Sequence, residues 1–258
     1  MKILVLLKMV PDVVEELEVA DDGASLSRDF LRLIINERDE NALEQALILK
    51  ERHQGTVIVV APEAPEVDDV LFTALARGAD RVIKVTGVAE GTGSHATTAL
   101  VAAALPGIPD LLPVDLVLTG CQAIDDLDGL VGPLLARALG APYVGIVTGL
   151  DAAGGGVAHC LREYPGGVRG KFEVDLPAVV GIQGAEKPPR YVPIAKVRAA
   201  MTSGRIEVVP AGGAAAPALV EVIGMKKPEV AERAEMITGS VDEIAARICE
   251  ILAGRGLL

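Results

Sequence analysis

The chain has 258 residues, of which 50% are hydrophobic and 23% charged, so it is long enough to bury a substantial core in one large or two small globular domains. This composition excludes disordered and collagen-like classes. The 24 basic and 36 acidic residues give a formal net charge of −12, which repels phosphate backbones and anionic membrane surfaces and argues against nucleic-acid binding.

The content of aromatic residues and cysteines excludes further classes of protein. Aromatic residues make up only 2% of the chain, without Trp, so we expect no aromatic cage or base-stacking platform. Cys121, Cys160 and Cys249 lie far apart and form no CxxC pair, which favours the reducing cytoplasm and buried or partly buried thiols at Cys160 and Cys249. The apolar start at residues 3–7 is too short for a signal peptide or a membrane span, so we expect no membrane insertion.

Six apolar runs of strand length recur along the chain. They are rich in branched residues and lack polar alternation, which is typical of strands buried on both faces of a parallel sheet. The runs are residues 3–7, 56–60, 81–85, 114–119, 143–148 and 178–182. Helical patterns separate the first five, so we predict βαβ crossovers and an α/β fold with a doubly wound, mostly parallel sheet.

Two of the connecting helices can be placed from their periodicity. Residues 39–53 carry apolar side chains on successive turns of one face, and Asp39 is positioned to cap the start. Residues 66–77 show the same spacing, and Gly78 ends that helix.

The character of the chain changes after residue 150. Residues 157–163 and 169–174 flank a Pro-Gly-Gly turn and predict an antiparallel hairpin appended to the sheet. Residues 211–218 contain only Ala, Gly and Pro, which is a linker composition. We therefore expect a domain over 1–210 and a C-terminal arm over 211–258. The arm ends in an amphipathic helix at 241–252, which packs either on a partner subunit or on its own domain.

Motifs for common enzyme chemistry are missing. The sequence contains no G-x-S-x-G, H-E-x-x-H, Walker A or G-x-G-x-x-G pattern, and its cysteines have no metal-ligand spacing. We therefore assign no catalytic residue and no metal site.

One loop stands out at residues 120–133. It follows the most strongly apolar strand and precedes a helix that runs to about Leu139, so it lies at the carboxyl edge of the sheet, where open α/β folds bind ligands. The backbone N–H groups between Gly129 and Gly132 suit a phosphate. The plainer interpretation is an acidic loop whose carboxylates only cap the helix, and the loop by itself leaves both open.

A second segment, residues 187–198, follows the last predicted sheet strand. It contains several prolines and is rich in basic residues toward its end. Its apolar tip, Ile194, in an otherwise acidic chain indicates a docking element. An ordinary solvated connection is the alternative.

Six separated matches, in order and spacing, identify a family resemblance that runs from Met1 to about Val209. The matching positions are Lys8, Asn36, residues 73–81 (TALARGADR), 120–132 (GCQAIDDLDGLVG), 176–180 (LPAVV) and 189–191 (PRY). Together they resemble the β subunit of electron transfer flavoproteins, the EtfB/FixA family.

The resemblance implies a fold like the adenine-nucleotide α-hydrolases and an α subunit that carries the redox-active FAD. It also implies an AMP buried in the β subunit. The positions that correspond to this nucleotide site are Leu6, Lys8, Asn36, Glu37, Arg38, Asp39, Pro62, Gly120, Cys121, Gln122, Ala123, Ile124, Asp125, Asp126, Leu127, Asp128, Gly129, Leu130, Val131 and Gly132.

Because this chain departs from the family pattern, a ligand other than AMP stays possible at this site. Members with AMP commonly show Asn-Gln-Thr-Gly where this chain has residues 129–132 (GLVG), so the hydroxyl expected near the phosphate is missing. Residues 131–133 (VGP) are closer to electron-bifurcating members, which hold a second FAD in this place, whereas Asp125 and Asp126 resemble the AMP type.

The resemblance also implies partners. Residues 187–198 correspond to the recognition loop that docks a flavin dehydrogenase of the acyl-CoA dehydrogenase type, and the residues expected to take part are Arg190, Tyr191, Ile194 and Lys196. The implied function is electron transfer from such dehydrogenases, through the α-subunit FAD, to a quinone reductase or another acceptor. The alternative is a bifurcating complex that uses NADH.

Overall fold

The computed structural model describes residues 1–89, 91–152, 155–213, 220–228, 234 and 236–258. The strands are β1 (Lys2–Leu6), β2 (Met9–Pro11), β3 (Leu33–Ile35), β4 (Thr56–Pro62), β5 (Arg81–Thr86), β6 (Leu116–Gly120), β7 (Tyr143–Asp151), β8 (Val157–Tyr164), β9 (Val168–Asp175), β10 (Ala178–Ile182) and β11 (Ile206–Pro210). The helices are α1 (Glu37–His53), α2 (Val67–Arg77), α3 (Ser94–Ala104), α4 (Val131–Leu139), α5 (Ile194–Ser203) and α6 (Val241–Gly254).

Nine of the described strands form one sheet in the order β11-β5-β4-β1-β6-β10-β7-β8-β9. All neighbours from β11 to β7 are parallel, and β8 and β9 continue the sheet as an antiparallel hairpin. The predicted fold class, a doubly wound and mostly parallel sheet with an appended hairpin, is confirmed.

Helices cover both faces of this sheet, and the strand residues alternate between two cores. In β1, Ile3 and Val5 face the core that contains Leu43 of α1. Leu4 and Leu6 face the opposite core, which contains residues of α3 and α4. Because a parallel strand covered on both faces needs apolar residues at every position, this packing explains the uninterrupted apolar runs.

The chain changes direction at β1. From β1 it continues through β4 and β5 on one side, and it then returns to β6 on the other side of β1. Such a reversal leaves a crevice outside the carboxyl ends of the two central strands, where ligands bind in open α/β sheets.

Three strands were not predicted from the sequence. β2 and β3 form a separate antiparallel pair before α1, and β11 adds a parallel edge strand beside β5. The predicted start of β6 is wrong by two residues, because Val114 and Asp115 precede the ladder. The helix predicted at residues 66–77 is confirmed, with Gly78 at its end.

The C-terminal part shows the predicted helix as α6, none of whose residues is buried. Residues 214–218 of the predicted linker lie outside the described residues, and the domain boundary at 210 stays a prediction. Cys160 is buried as expected, but Cys249 is exposed on α6, because no described element covers this helix. Among the described helices, none is both long and apolar enough to cross a bilayer.

Candidate functional site

A cleft opens at the carboxyl ends of β1 and β6. Most of the residues predicted for the nucleotide site line it. They are Leu6, Lys8, Asn36, Asp39, Pro62, Gly120, Cys121, Gln122, Ala123, Asp126, Asp128, Gly129 and Val131. The sheet topology therefore brings four separated chain segments to one place.

The other predicted site residues do not line the cleft. These are Glu37, Arg38, Ile124, Asp125, Leu127, Leu130 and Gly132. Ile124 and Leu127 are turned outward, with 51% and 60% of their surface exposed. Arg38 donates from Nη1 to the backbone oxygen of Gln183 at 2.7 Å, so its guanidinium supports the loop after β10.

Four lining residues were not predicted: Leu7, Ser94, Thr97 and Thr98. The last three belong to α3, whose first turn reaches the cleft. The Thr98 Oγ1 atom is buried and has no hydrogen-bond partner among the described residues. The local signal for these residues is the small polar helix start at Gly93 and Ser94 soon after a buried strand.

Three helices begin at the cleft, and each has a residue at or next to its start that lines it. Asn36, Ser94 and Val131 stand at or next to the starts of α1, α3 and α4. The first N–H groups of a helix have no partner within the helix, and the helix dipole adds positive potential there. The arrangement is suited to an anionic group.

Lys8 neutralises part of the acidic loop. Its Nζ atom lies 2.8 Å from Asp125 Oδ1 and 2.6 Å from Asp126 Oδ2. Burial acts to lower the pKa of Lys8, but these two partners raise it overall. Asp126 also accepts from Ser94 Oγ, and its partners Lys8 and Ser94 outweigh burial and lower its pKa. The third carboxylate, Asp128, accepts from the Leu130 N–H at 2.9 Å at the start of α4.

These contacts make the cleft narrow. Its free space is about 40 Å³, whereas small-molecule sites usually offer roughly 300–1,000 Å³. Lys8 reaches across the opening to the acidic loop, so a ligand of nucleotide size requires that this side chain and the loop move apart.

Asp39 is the most unusual charged group at the cleft. The residue is 95% buried, and its two carboxylate oxygens accept from the Gly120 N–H at 2.6 Å and the Lys8 N–H at 2.9 Å. The prediction that Asp39 caps the helix is wrong: α1 begins at Glu37 after Asn36, and Asp39 lies within the first turn. Its carboxylate instead ties α1 to the ends of β1 and β6.

Burial raises the pKa of Asp39 to about 6, although its hydrogen bonds to Gly120 and Lys8 act in the opposite direction. Because its pKa is higher in the folded state, the folded chain binds more protons than the unfolded chain between about pH 4 and 6. We expect this group's contribution to the free energy of unfolding to fall as the pH rises through that window. Urea unfolding of wild type and Asp39→Asn across pH 4–7 measures it as the difference between the two proteins, and a pH-independent difference would contradict the assignment.

Gly132 is buried beside Tyr143 rather than facing a ligand. A Cβ atom on Gly132 would lie 2.6 Å from Tyr143 Cε2 and 3.0 Å from Thr119 Oγ1. The requirement for glycine at this position therefore comes from packing against an aromatic ring. Gly132 is not suited as a probe of phosphate binding, because any side chain there disturbs Tyr143 first.

A second, wider cleft of about 590 Å³ adjoins the first and shares Cys121, Gln122, Asp128 and Gly129 with it. Tyr143, Tyr164 and Phe172 line this cleft, and the Arg162 guanidinium lies 4.9 Å from the centre of the Tyr164 ring. The expectation of no aromatic platform is thus wrong in one respect, since the fold collects three of the chain's six Phe and Tyr residues here.

The predicted docking segment is only partly a loop. Ile194 begins α5, so Ile194, Lys196 and Arg198 are helical rather than parts of a protruding tip. Tyr191 and Ile194 are 83% and 67% exposed. Arg190 is directed inward, with Nη2 2.8 Å from Oε1 of the buried Glu44, and it also pairs with Glu51. Sequence reasoning placed Arg190 on the docking surface because its acidic partners lie far away in the chain.

Comparison with known proteins places this chain in a family. The family model of the electron transfer flavoprotein domain matches residues 26–214. The chain is 33% identical to an electron transfer flavoprotein subunit beta of Methylophilus methylotrophus, over 98% of each chain. It is also similar to a subunit beta of Syntrophomonas wolfei, at 32% identity over 97% of this chain and 95% of the relative.

A relative with a more specific name covers less of the chain. The caffeyl-CoA reductase-Etf complex subunit CarD of Acetobacterium woodii is 34% identical over 75% of this chain and 72% of its own length.

Proposed function

We propose that this chain, which belongs to the electron transfer flavoprotein family as a β subunit, is the small subunit of a heterodimeric electron carrier. β subunits of this family are electron carrier subunits that associate with an α subunit and with flavin. In the proposed assembly, electrons enter the α-subunit FAD from a flavin dehydrogenase and leave to a quinone reductase or another acceptor. The flavin supplies the redox chemistry, and this chain supplies binding and positioning.

The main support is the similarity to β subunits across 98% of both chains, together with a cleft at the switch point of the sheet. The likeness to a subunit of a caffeyl-CoA reductase complex supports a partner that oxidises or reduces acyl-CoA compounds. The unpaired thiols of Cys121, Cys160 and Cys249 support a cytoplasmic carrier. The C-terminal arm from residue 211 onward is proposed as a separate unit.

We assign AMP to the cleft. The apolar ends of β1 and β4 at Leu6 and Pro62 would contact the base, and the first N–H groups of α3 and α4 would hold the phosphate. The unpartnered Thr98 hydroxyl is available to the ligand, because a buried hydroxyl without a hydrogen bond is costly. The donors present in the cleft therefore fit a phosphorylated nucleoside.

Binding of AMP needs Lys8 to leave Asp125 and Asp126. The side chains of these three residues are 24–28% exposed. The phosphate would replace these carboxylates as the ionic partner of Lys8, which offsets the loss of the two ion pairs. Lys8 would then be free to approach the phosphate.

A second FAD in the same cleft is the alternative, with a bifurcating reaction that uses NADH. The sequence feature that favoured a second FAD is the pattern VGP at residues 131–133. The packing of Gly132 against Tyr143 gives this glycine a role that involves no ligand, so the pattern is weaker support than it was from sequence alone. A heterodimer with two flavins that oxidises NADH in the presence of a low-potential acceptor would favour the alternative.

Electron carriage is tested by producing this chain together with its α subunit. We expect a stable heterodimer whose flavin is reduced by an acyl-CoA dehydrogenase and its substrate, and is reoxidised by a quinone reductase. A heterodimer whose flavin is reduced by dithionite but by no flavin dehydrogenase would contradict the proposed role.

The docking segment gives a more local prediction. Ile194→Ala should weaken docking by about 1–2 kcal/mol, because a mostly exposed apolar side chain would become buried in the partner. We expect slower reduction by the dehydrogenase and unchanged reduction by dithionite.

Val208→Ala provides a matched control, since Val208 is 59% exposed on the edge strand β11. It should leave both rates unchanged. Equal dehydrogenase rates for wild type and Ile194→Ala would show that Ile194 does not contact the partner.

A further inference from the structure

The chain segment that leads from β10 to Tyr191 is bound along one face of α1. Three of its backbone N–H groups donate to side chains of that helix: Ala185 to Asn41 Oδ1 at 3.1 Å, Glu186 to Gln45 Oε1 at 3.0 Å, and Arg190 to Glu44 Oε2 at 3.0 Å. Residues 41, 44 and 45 are neighbours on a helix surface. α1 therefore presents a row of acceptors to this segment.

Glu44 is at the centre of this row. Its side chain is only 4% exposed, and Arg190 binds it with Nε at 3.0 Å and Nη2 at 2.8 Å in addition to its backbone N–H. A planar guanidinium that binds a carboxylate through two nitrogens fixes orientation as well as distance. Since a buried carboxylate needs its partner, Arg190 is confined to one position.

Two further ion pairs beside the Glu44–Arg190 pair are more exposed to solvent. Glu51 pairs with Nη1 of the same arginine, but its side chain is 63% exposed. Arg52 Nη2 lies 2.8 Å from Glu186 Oε2, with both side chains at least one-third exposed. Exposed pairs of this type contribute little to a fixed geometry.

α1 itself is held firmly. Residues 42–49 are buried without interruption, and Asp39 at its first turn is bonded to the ends of β1 and β6. A segment bound to α1 is consequently fixed relative to the sheet.

We propose that Glu44 is a positioning residue: through Arg190 it holds the segment from Ala185 to Arg190 in one conformation and so presents Tyr191 and Ile194 to the electron-transfer partner. This inference rests on the proposed docking function. A segment that is ordered before docking loses less conformational entropy when the partner binds, which improves affinity without any new contact.

Hydrogen–deuterium exchange of the αβ heterodimer tests the positioning step. In Glu44→Gln, the amides of Glu186, Lys187, Arg190 and Tyr191 should exchange roughly tenfold faster or more, because a hydrogen bond to a charged acceptor is weakened. Glu51→Gln is the matched control, since it removes the exposed partner of the same arginine, and it should change exchange by less than about twofold. Unchanged exchange in Glu44→Gln would overturn the inference.

Kinetics with an acyl-CoA dehydrogenase, reduced by its acyl-CoA and using the heterodimer as acceptor, tests the docking step. Glu44→Gln should raise the KM for the heterodimer and leave the limiting rate unchanged. An unchanged KM in Glu44→Gln, with a raised KM in Ile194→Ala, would overturn the positioning role. An unchanged KM in both variants would instead overturn the docking function of the segment.

A milder variant keeps the test valid if Glu44→Gln folds poorly. Asn41→Ala leaves the buried ion pair intact and removes the acceptor of the Ala185 N–H, together with the bond from Asn41 Nδ2 to the Glu37 backbone oxygen within α1. We expect faster exchange at Ala185 and Glu186, with protection at Arg190 retained. Full protection at all three amides would contradict the role of α1 as the support of this segment.

Discussion

Gly120→Ala should lower the free energy of unfolding by about 3 kcal/mol, because β6 ends in contact with the first turn of α1. A Cβ atom at this position would lie 2.6 Å from Asp39 Oδ1, 2.8 Å from Asp39 N and 2.7 Å from Arg38 Cβ. The helix cannot move away without breaking the Gly120 N–H bond to Asp39. The same displacement would widen the gap between β6 and α1 at the cleft, so we also expect weaker nucleotide retention.

Gly184→Ala is the matched control. A Cβ atom on Gly184 would have no neighbouring atom within 4 Å, and the backbone there has a conformation that other residues adopt. Urea unfolding should therefore give Gly184→Ala a midpoint close to that of wild type and Gly120→Ala a clearly lower one. Equal midpoints for the two variants would mean that the contact between Gly120 and α1 is not tight.

Arg190→Ala should destabilise the chain by about 3–5 kcal/mol, since it leaves the buried carboxylate of Glu44 without a partner. The pKa of Arg190 is raised by its hydrogen bonds to Glu44 and Glu51, so this cation stays charged at every pH at which the protein is folded. The loss of stability in Arg190→Ala should consequently be the same throughout the neutral pH range.

Two further variants separate charge from packing in the same unfolding experiment. Arg198→Ala removes an exposed arginine of α5 and should change stability by less than about 0.5 kcal/mol. Glu44→Leu combined with Arg190→Ala removes both charges and should recover much of the loss. A double variant as unstable as Arg190→Ala alone would show that the loss does not come from an unpaired Glu44.

The sheet could be predicted well because the apolar pattern that marks a buried strand lies within the strand's own residues. β10 is apolar at every position and β1 at every position after Lys2, and β10 was predicted at its observed bounds. β11 was missed because an edge strand is half exposed: Glu207 interrupts the apolar pattern that marks a buried strand, and Val208 lies exposed at the edge.

The candidate site was predicted where one chain segment carries the signal. The loop after β6 has its glycines and aspartates in one run, and most of them line the cleft. Ser94 and Thr98 were missed because α3 is separated from that loop in the sequence and approaches it only in the folded chain. Asp39 and Arg190 were given the wrong partners for the same reason: Asp39 binds the backbone of Gly120, 81 residues away, and Arg190 binds Glu44, 146 residues away.

The nucleotide content of the αβ heterodimer tests the central claim most directly. The protein is purified with its α subunit and denatured, and the released adenine nucleotides and flavins are separated by chromatography and counted. We predict one FAD and one AMP per heterodimer, with AMP lost from Gly120→Ala and retained by Gly184→Ala. A heterodimer that contains neither AMP nor a second flavin in near-stoichiometric amount would contradict the assignment of the cleft as a nucleotide site.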